Sequence, residues 1–427
     1  MPEFQLSSEN PPLPRMLEAS LRASLADTPV VLLQGPRQCG KTTLARHIAE
    51  PLGFSYLSLD DDNLARAAKA DPLGFVMDLP SKVILDEVQR APEIFTSIKL
   101  VVDRDRQPGR FLLTGSADVL LLPKLSESLA GRLEVLRLHP LAQIEMRHVQ
   151  AGFLARLFNA DFKLTTSTRL GPDLAALIVA GGFPAALTRQ GGRRRTWYQA
   201  YAQTLVQRDV RDLARISALE VMPHLLQLAV RQTAHLFNVS ELASPFGVSR
   251  PTIRDYMTLL ERVFLLELLP PWHVRDINRL VKTPKLHLGD TGLAAALLKL
   301  DAASLYADRA LFGQLLETFV FQELRRQSGT AQDSIEFFHF RHRDDHEVDI
   351  VLEQGTLLAG VEVKASGSVR AEDFRGLRKL QEIVGERFAC GVVLYDGEVS
   401  LRFGPKLFAL PMATLWSAHK DASTSRA

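Results

Sequence analysis

The sequence predicts an α/β protein with a parallel sheet in its first third, a helix-rich middle and a second α/β region towards its end. Three observations carry that reading. Residues 30–34 are a continuous apolar run that ends in a glycine-framed turn and a helix start. Residues 82–87 are a second apolar run, which ends in two carboxylates, Asp86 and Glu87. Further on, apolar runs at 348–352 and 358–363 carry isolated acids between helical patterns. Short apolar runs bounded by turn residues are the signature of strands buried on both faces, as parallel sheets are.

At 427 residues the chain suggests two or three domains and can bury a sizeable interior. Hydrophobic residues make up 46% and charged residues 23%, the balance of a soluble globular protein. A formal charge of +2 argues neither for nor against nucleic acid, so any basic surface must be local. Two cysteines, Cys39 and Cys390, exclude a disulfide framework and point to a reducing cytoplasm. No apolar run approaches membrane-spanning length and no charged segment leads into an apolar core, so no membrane partner is expected. Residues 1–14, rich in Pro and Ser, read as a mobile leader, and residues 418–427 as a polar tail.

Taken in order, residues 15–25 have helical spacing (Leu17, Leu21, Leu25), broken by Asp27-Thr28-Pro29 before the first strand. Gly35-Pro36-Arg37-Gln38-Cys39-Gly40-Lys41-Thr42-Thr43 then fits G-x-x-x-x-G-K-[ST], the phosphate loop. Gly35 and Gly40 let successive N–H groups turn inward, and the positive end of the following helix favours anions. Lys41 is expected on the β- and γ-phosphates of ATP, and the Thr42 hydroxyl on the bridging Mg²⁺. Cys39 is either a bland small residue in this cradle or a thiol whose oxidation blocks nucleotide binding.

Residues 55–59 read as a short strand, and Asp60-Asp61-Asp62-Asn63 as a helix cap, with a place near the nucleotide as the other reading. The strand at 82–87 is the Walker B arrangement. A parallel strand next to the loop strand is expected to carry Asp86 to the Mg²⁺ shell and Glu87 to the attacking water as general base. Residues 110–116 repeat the pattern of a buried strand ending in small polar residues, so Thr114 or Ser116 is either a γ-phosphate sensor or plain turn chemistry. Arg132 precedes another apolar strand, 133–138, where a surface arginine at a helix end is one reading.

The order of these motifs over residues 28–150 resembles the AAA+ branch of phosphate-loop (P-loop) ATPases. Gly35-Pro36-Arg37-Gln38, Leu85-Asp86-Glu87-Val88-Gln89 and Thr114-Gly115-Ser116 resemble, more narrowly, a prokaryotic family that joins this ATPase to a C-terminal domain of unknown function, DUF4143. The resemblance implies an ATPase domain over 15–165, a polar sensor at Thr114, Arg132 as a finger acting in trans, and a homo-oligomer.

The middle, 166–300, is read as a helical and winged-helix domain. Gly181-Gly182-Phe183-Pro184 breaks its helices and resembles a recurring phrase of that family. Arg193-Arg194-Arg195 with Trp197 and Tyr198 is the densest basic-aromatic cluster, fitted equally to phosphates with stacked bases or to a solvated helix start. Arg208, Arg211 and Arg215 extend the charged face at helical spacing. Residues 239–243 and 247–256 read as helix, turn, helix, with Ser249 as cap and Pro251 in the first turn. Ile253, Met257 and Leu260 face inward, leaving Arg250, Thr252, Arg254 and Tyr256 outward as candidates for a DNA groove, with a wing strand at 263–269. A lid or a subunit contact is the other use of such a module.

In 301–417, Asp349 lies on an apolar strand, and Glu362 and Lys364 share a face of the next by the two-residue period. Asp349 and Glu362 are candidate Mg²⁺ ligands, with Lys364 to orient or deprotonate water. The set resembles the signature of PD-(D/E)xK nucleases over residues 311–400, a restriction-endonuclease-like fold, with Glu317 on the preceding helix as a further acid; Val348 stands where the pattern has proline. The other reading is a salt-bridged strand pair. His339, His342 and His346 lie close together without the ligand spacing of zinc sites.

Two functions follow. One is an ATP-hydrolysing AAA+ protein acting on DNA or RNA and controlling a nuclease-like domain. The other is a nucleotide switch or DNA- or protein-binding regulator whose nuclease-like domain is non-catalytic. A metabolite kinase is disfavoured, because no acceptor site or lid motif is evident.

Overall fold

The computed structural model describes residues 13–117, 129–150, 152–210, 220–273, 283–329, 334–342, 344 and 346–417. The leader up to residue 12, the tail from 418, Arg211 and Arg215 lie outside the described residues.

Two compact units are present: residues 1–141 with Phe183–Thr188 and Arg262–Leu265, and the remainder. The second unit takes in most of the helical middle together with the C-terminal α/β region.

In the first unit, Val30–Gln34 (β1), Ser55–Ser58 (β2), Val83–Asp86 (β3), Phe111–Gly115 (β4) and Leu133–Arg137 (β5) form a parallel sheet in the order β2-β3-β4-β1-β5. All five residues of β1 are buried, because both faces are covered. Val30 and Leu32 pack with Ile94, Phe95 and Ile98 of the helix Ile94–Arg104. Their neighbours Val31 and Leu33 point the other way, against Leu21, Leu44 and Ile48 of the helices Glu18–Asp27 and Lys41–Ala49. Each such side chain contributes about 1.5–3 kcal/mol on burial. The sheet order corrects one expectation: β4 separates β3 from the loop strand, so Asp86 approaches from two strands away. The aspartate run is a cap, with Asp61 accepting from the N–H groups of Asn63 (2.7 Å) and Leu64 (3.3 Å).

In the second unit, the helix Val221–Arg231, the strand His235–Leu236 (β6), the helices Val239–Ala243 and Arg250–Arg262, and the strands Leu266–Leu269 (β7) and Lys285–Leu288 (β8) follow in order. The strands pair antiparallel as β6-β8-β7. Strand β7 begins at Leu266, three residues later than expected. Tyr256 is 6% exposed and joins the buried stripe with Ile253, Met257 and Leu260, so it is not outward. Within the basic-aromatic cluster, on the helix Gly191–Thr204, Tyr198 turns inward and donates to the carbonyl of Ala180 at 3.0 Å, so it serves packing. Trp197 is half-buried and stacks on Tyr201 with centroids 5.2 Å apart, and Arg193 is exposed.

The same unit holds a mixed six-stranded sheet, β13-β14-β12-β11-β10-β9, built from Ile335–Arg341 (β9), Glu347–Gln354 (β10), Leu357–Lys364 (β11), Phe388–Tyr395 (β12), Leu401–Gly404 (β13) and Leu407–Pro411 (β14). Strands β9, β10 and β11 are antiparallel, and β11, β12 and β14 parallel. The helix Arg375–Val384 lays Leu377 and Leu380 on Val348, Val351 and Val393. It approaches so closely that a Cβ on Gly376 would stand 1.7 Å from the Glu347 carbonyl oxygen. The connection from β7 to β8 is tied to β9 by hydrogen bonds from Trp272 N to the His339 carbonyl (2.7 Å) and from His339 N to the Pro270 carbonyl (2.9 Å). No helix among the described residues is long and apolar enough to cross a membrane.

Candidate functional site

The loop from Gly35 to Gly40 leaves the C-terminal end of β1 and enters the helix Lys41–Ala49. Gly35 has φ +155°, and a Cβ there would stand 2.1 Å from the Leu138 carbonyl oxygen, so only glycine fits. Gly40 is left-handed, with φ +103°. Lys41 is 5% exposed and folds back, its Nζ donating to the carbonyls of Gly35 and Pro36, each at 2.9 Å. Cys39 is fully buried, with Sγ 3.5 Å from the Leu138 carbonyl; burial pushes its thiol up, which suits the bland reading over the redox one.

Although β4 intervenes, the two motifs meet. Thr42 Oγ1 donates to the Asp86 carboxylate, 3.0 Å from Oδ1 and 3.1 Å from Oδ2. Thr114 Oγ1 donates to Asp86 Oδ1 and accepts from the Glu87 N–H at 3.3 Å. Tyr56 donates to Asp86 Oδ2 at 2.9 Å, and burial, then that bond, push its hydroxyl up to about 12. Glu87, immediately after β3, holds a left-handed backbone (φ 58°), a conformation that costs a non-glycine residue about 1 kcal/mol or more. Its Oε2 accepts from Ser116 Oγ at 2.9 Å and from Gln89 Nε2, which also reaches Ser116 Oγ at 2.9 Å. Thus Thr114 is joined to Asp86, and Ser116 to Glu87. Among the described residues the side chains that donate to the two acids are hydroxyls and an amide, so a hydroxyl and a carboxylate stand together as oxygen donors. That set fits Mg²⁺.

A cavity of about 200 Å³ borders the loop, lined by Leu13, Pro14, Arg15, Gly40, His47 and Leu141 among others. Arg15 ties its wall together, donating to the carbonyls of Cys39 (2.7 Å) and His139 (2.6 Å). Arg37, Gln38 and Thr43 belong to the loop and the first turn of its helix, and Gln38 is left-handed at φ 59°. Arg132 is elsewhere. It immediately precedes β5, whose first residue Leu133 is opposite Val30, so about five strand residues or roughly 16 Å separate it from the loop end of the sheet. There it donates to Asp103 and to the Ala130 carbonyl (2.9 Å), and its hydrogen bond holds the Asp103 carboxyl below the usual range.

On the helix Arg250–Arg262, Arg250 and Arg254 are exposed, and Thr252 is half-buried with its hydroxyl 2.8 Å from Ser249 Oγ. Arg208 is exposed as well.

The C-terminal acids do come together. Between β9 and β10 the register shifts from Val348 to Val351, so Asp349 and Ile350 oppose His339 alone, a bulge that re-aims Asp349. Asp349 lies one step beyond the Ile350–Val361 pair, which sets it beside Glu362. At their centre stands Lys285 of β8, 2% exposed, with Nζ 2.9 Å from Glu317, 2.6 Å from Glu347 and 3.1 Å from Asp349. Asp349 Oδ2 accepts from the Val363 N–H at 2.9 Å, and Glu362 Oε1 accepts from Lys364 Nζ at 2.8 Å. Burial pulls Lys285 down, but the charges of Glu317, Asp349 and Glu347 outweigh it and hold the ammonium well above its ordinary value. Burial and the Asp349 charge raise Glu317 well above the carboxylate range and push Glu362 up to about 8.

In this arrangement the two acids expected as metal ligands each give an oxygen to an ammonium group, Asp349 Oδ1 to Lys285 and Glu362 Oε1 to Lys364, the lysine expected to activate water. Among the described residues no group of three or more His, Cys, Asp or Glu is placed to hold a metal ion, the histidine trio included. His339 is buried with Nε2 2.9 Å from the Thr283 carbonyl, and His342 sits 3.3 Å from Asp344. Sequence reasoning missed Tyr56, Arg15, Glu347 and above all Lys285. The one trace of Lys285 was a lysine opening the apolar run Lys-Leu-His-Leu at 285–288.

Residues 27–147 match the model of the AAA domain, 171–304 a domain of unknown function (DUF8612), and 312–415 another domain of unknown function (DUF4143). Uncharacterized proteins of Mycobacterium tuberculosis and Mycobacterium bovis are each 29% identical over 395 residues, which is 92% of this chain and 82% of theirs. Among solved structures, a Walker-type ATPase of Pyrococcus abyssi is 16% identical, covering 66% of this chain and 94% of its own, with a TM-score of 0.43. The RuvB Holliday junction branch migration motor of Thermotoga maritima is 19% identical over 60% of this chain and 87% of its own, with a TM-score of 0.25. The chain thus carries an AAA-type phosphate-loop ATPase domain over residues 27–147 and a DUF4143 domain over residues 312–415.

Proposed function

We propose that this protein is an ATP-hydrolysing conformational switch that acts on nucleic acid through its middle region. The observation that carries the reading is the joined set Thr42–Asp86 and Glu87–Ser116–Gln89 at one end of the sheet. In this reading Lys41 leaves the loop carbonyls for the β- and γ-phosphates, and the cavity beside Arg15 takes the base. Bound Mg²⁺ supplies charge neutralisation to the phosphates, with Thr42 and Asp86 as its protein ligands. Glu87 takes the proton of the attacking water, its carboxylate aimed by Ser116 and Gln89. Thr114 positions Asp86. Glu87→Gln tests the assignment: nucleotide binding is retained while turnover falls by about 10²–10⁴-fold, and unchanged turnover would discard it.

Arg132 is too far along β5 to serve its own loop, so in this reading it acts on a second copy of the chain after release from Asp103. Mass measurement with and without ATP decides this; a persistent monomer sinks it. The order helix, β6, helix, helix, β7, β8 with the sheet β6-β8-β7 supports a winged helix, whose exposed Arg250 and Arg254, with Thr252, would meet the phosphate backbone.

For the C-terminal region, Lys285 favours the silent reading over live phosphodiester cleavage. Incubation with Mg²⁺ or Mn²⁺, ATP, DNA and RNA is expected to yield no cleavage that an Asp349→Ala/Lys364→Ala variant abolishes.

A further inference from the structure

We infer that Lys285 is the resident cation of the C-terminal carboxylate cluster, standing where a divalent metal would otherwise be held and keeping that metal out. The inference rests on the silent reading of this region and adds the residue responsible. Its geometry is saturated. An ammonium group has three N–H donors, and Lys285 Nζ has a carboxylate at bonding distance for each: Glu317, Glu347 and Asp349. Both Asp349 oxygens are spoken for, Oδ1 by Lys285 and Oδ2 by the Val363 N–H. Glu362 gives Oε1 to Lys364, while its Oε2 is buried and unpartnered.

The source of the lysine matters as much as its position. Lys285 comes from β8, the central strand of the small three-stranded sheet, whereas its acids come from the helix Arg309–Ser328 and from β10. One ammonium therefore does for three chain segments what a bridging metal does elsewhere, and it cannot diffuse away. A metal would have to displace a tethered cation already paired in a desolvated site, where such pairs are hard to break.

Manganese binding, read by electron paramagnetic resonance on the full chain with Thr42→Ala and Asp86→Asn to remove the phosphate-loop cation, tests this. In that background the expected count is no Mn²⁺ that Asp349→Asn abolishes. Replacing Lys285 by Ala, or by Gln should the alanine variant fail to fold, is expected to create one Mn²⁺ site that Asp349→Asn removes. An Asp349-dependent Mn²⁺ in the chain that keeps Lys285 overturns the inference, as does a folded Lys285 variant that gains none. Asp349-dependent metal without cleavage in the chain that keeps Lys285 would sink this inference alone; Asp349-dependent cleavage of DNA or RNA would sink the silent reading itself.

Discussion

Two clusters of acids stand in this molecule, and they are satisfied in opposite ways. Around Asp86 and Glu87 the partners are hydroxyls and an amide, from Thr42, Thr114, Tyr56, Ser116 and Gln89. Neutral donors orient a carboxylate without cancelling its charge, so the site keeps an appetite for a cation. Around Asp349, Glu317 and Glu347 the partner is an ammonium on the chain itself. The charge is spent internally, and what remains is adhesion between segments. Acid-bearing strand ends that look alike in sequence thus divide into one set held by neutral donors and one set gathered around an ammonium.

The comparison can be broken most forcefully at Lys285. Lys285→Met leaves three carboxylates facing each other in a desolvated pocket, and denaturant unfolding is expected to show a loss of about 3–5 kcal/mol. Asp86→Asn should do the reverse, abolishing ATP turnover with little change in stability. Equal stability losses from the two would mean that the clusters do not differ in kind.

Glu323 offers a third case, an acid that is fully buried, accepting from the Gln143 N–H at 2.9 Å and Arg326 at 3.2 Å. Burial pushes it up to about 7 despite Arg326. Its folded value is raised, so its favourable contribution is present below about 4.5 and is lost as pH rises through 7. Glu323→Gln should therefore gain stability relative to the parent on going from pH 5 to pH 8, by up to roughly 3 kcal/mol. A pH-independent difference would show that Arg326 neutralises it fully.

Smaller effects sharpen the ATPase side. Tyr56→Phe removes one donor from Asp86 and is expected to cost about 1 kcal/mol, visible as a several-fold loss of turnover at saturating ATP. Arg250→Ala or Arg254→Ala should each reduce the salt slope of DNA binding by about 1, leaving turnover without DNA unchanged. A slope that stays put would place nucleic acid elsewhere or nowhere on this chain.

Legibility in the sequence follows the range of the interactions. The phosphate loop, the Asp61 cap and the strands at 30–34, 83–86 and 348–352 are local events, encoded by residues within a turn or a two-residue period of one another. The insertion of β4 between β1 and β3, the inward turn of Tyr198 and Tyr256, and the grouping of most of the middle with the C-terminal region in one unit are set by which faces find a partner. Nothing in a spacing reports that.

What the sequence by itself determined is the ATPase end: the types and spacing of Gly35, Gly40, Lys41, Thr42, Asp86 and Glu87 suffice because the backbone cradle and its acid strand need those residues in that order. What only the tertiary structure decided is the state of the second cluster. Lys285 lies 32 residues from Glu317 and 64 from Asp349, and the charge balance of a buried site depends on every group folded into it, whatever their distance along the chain.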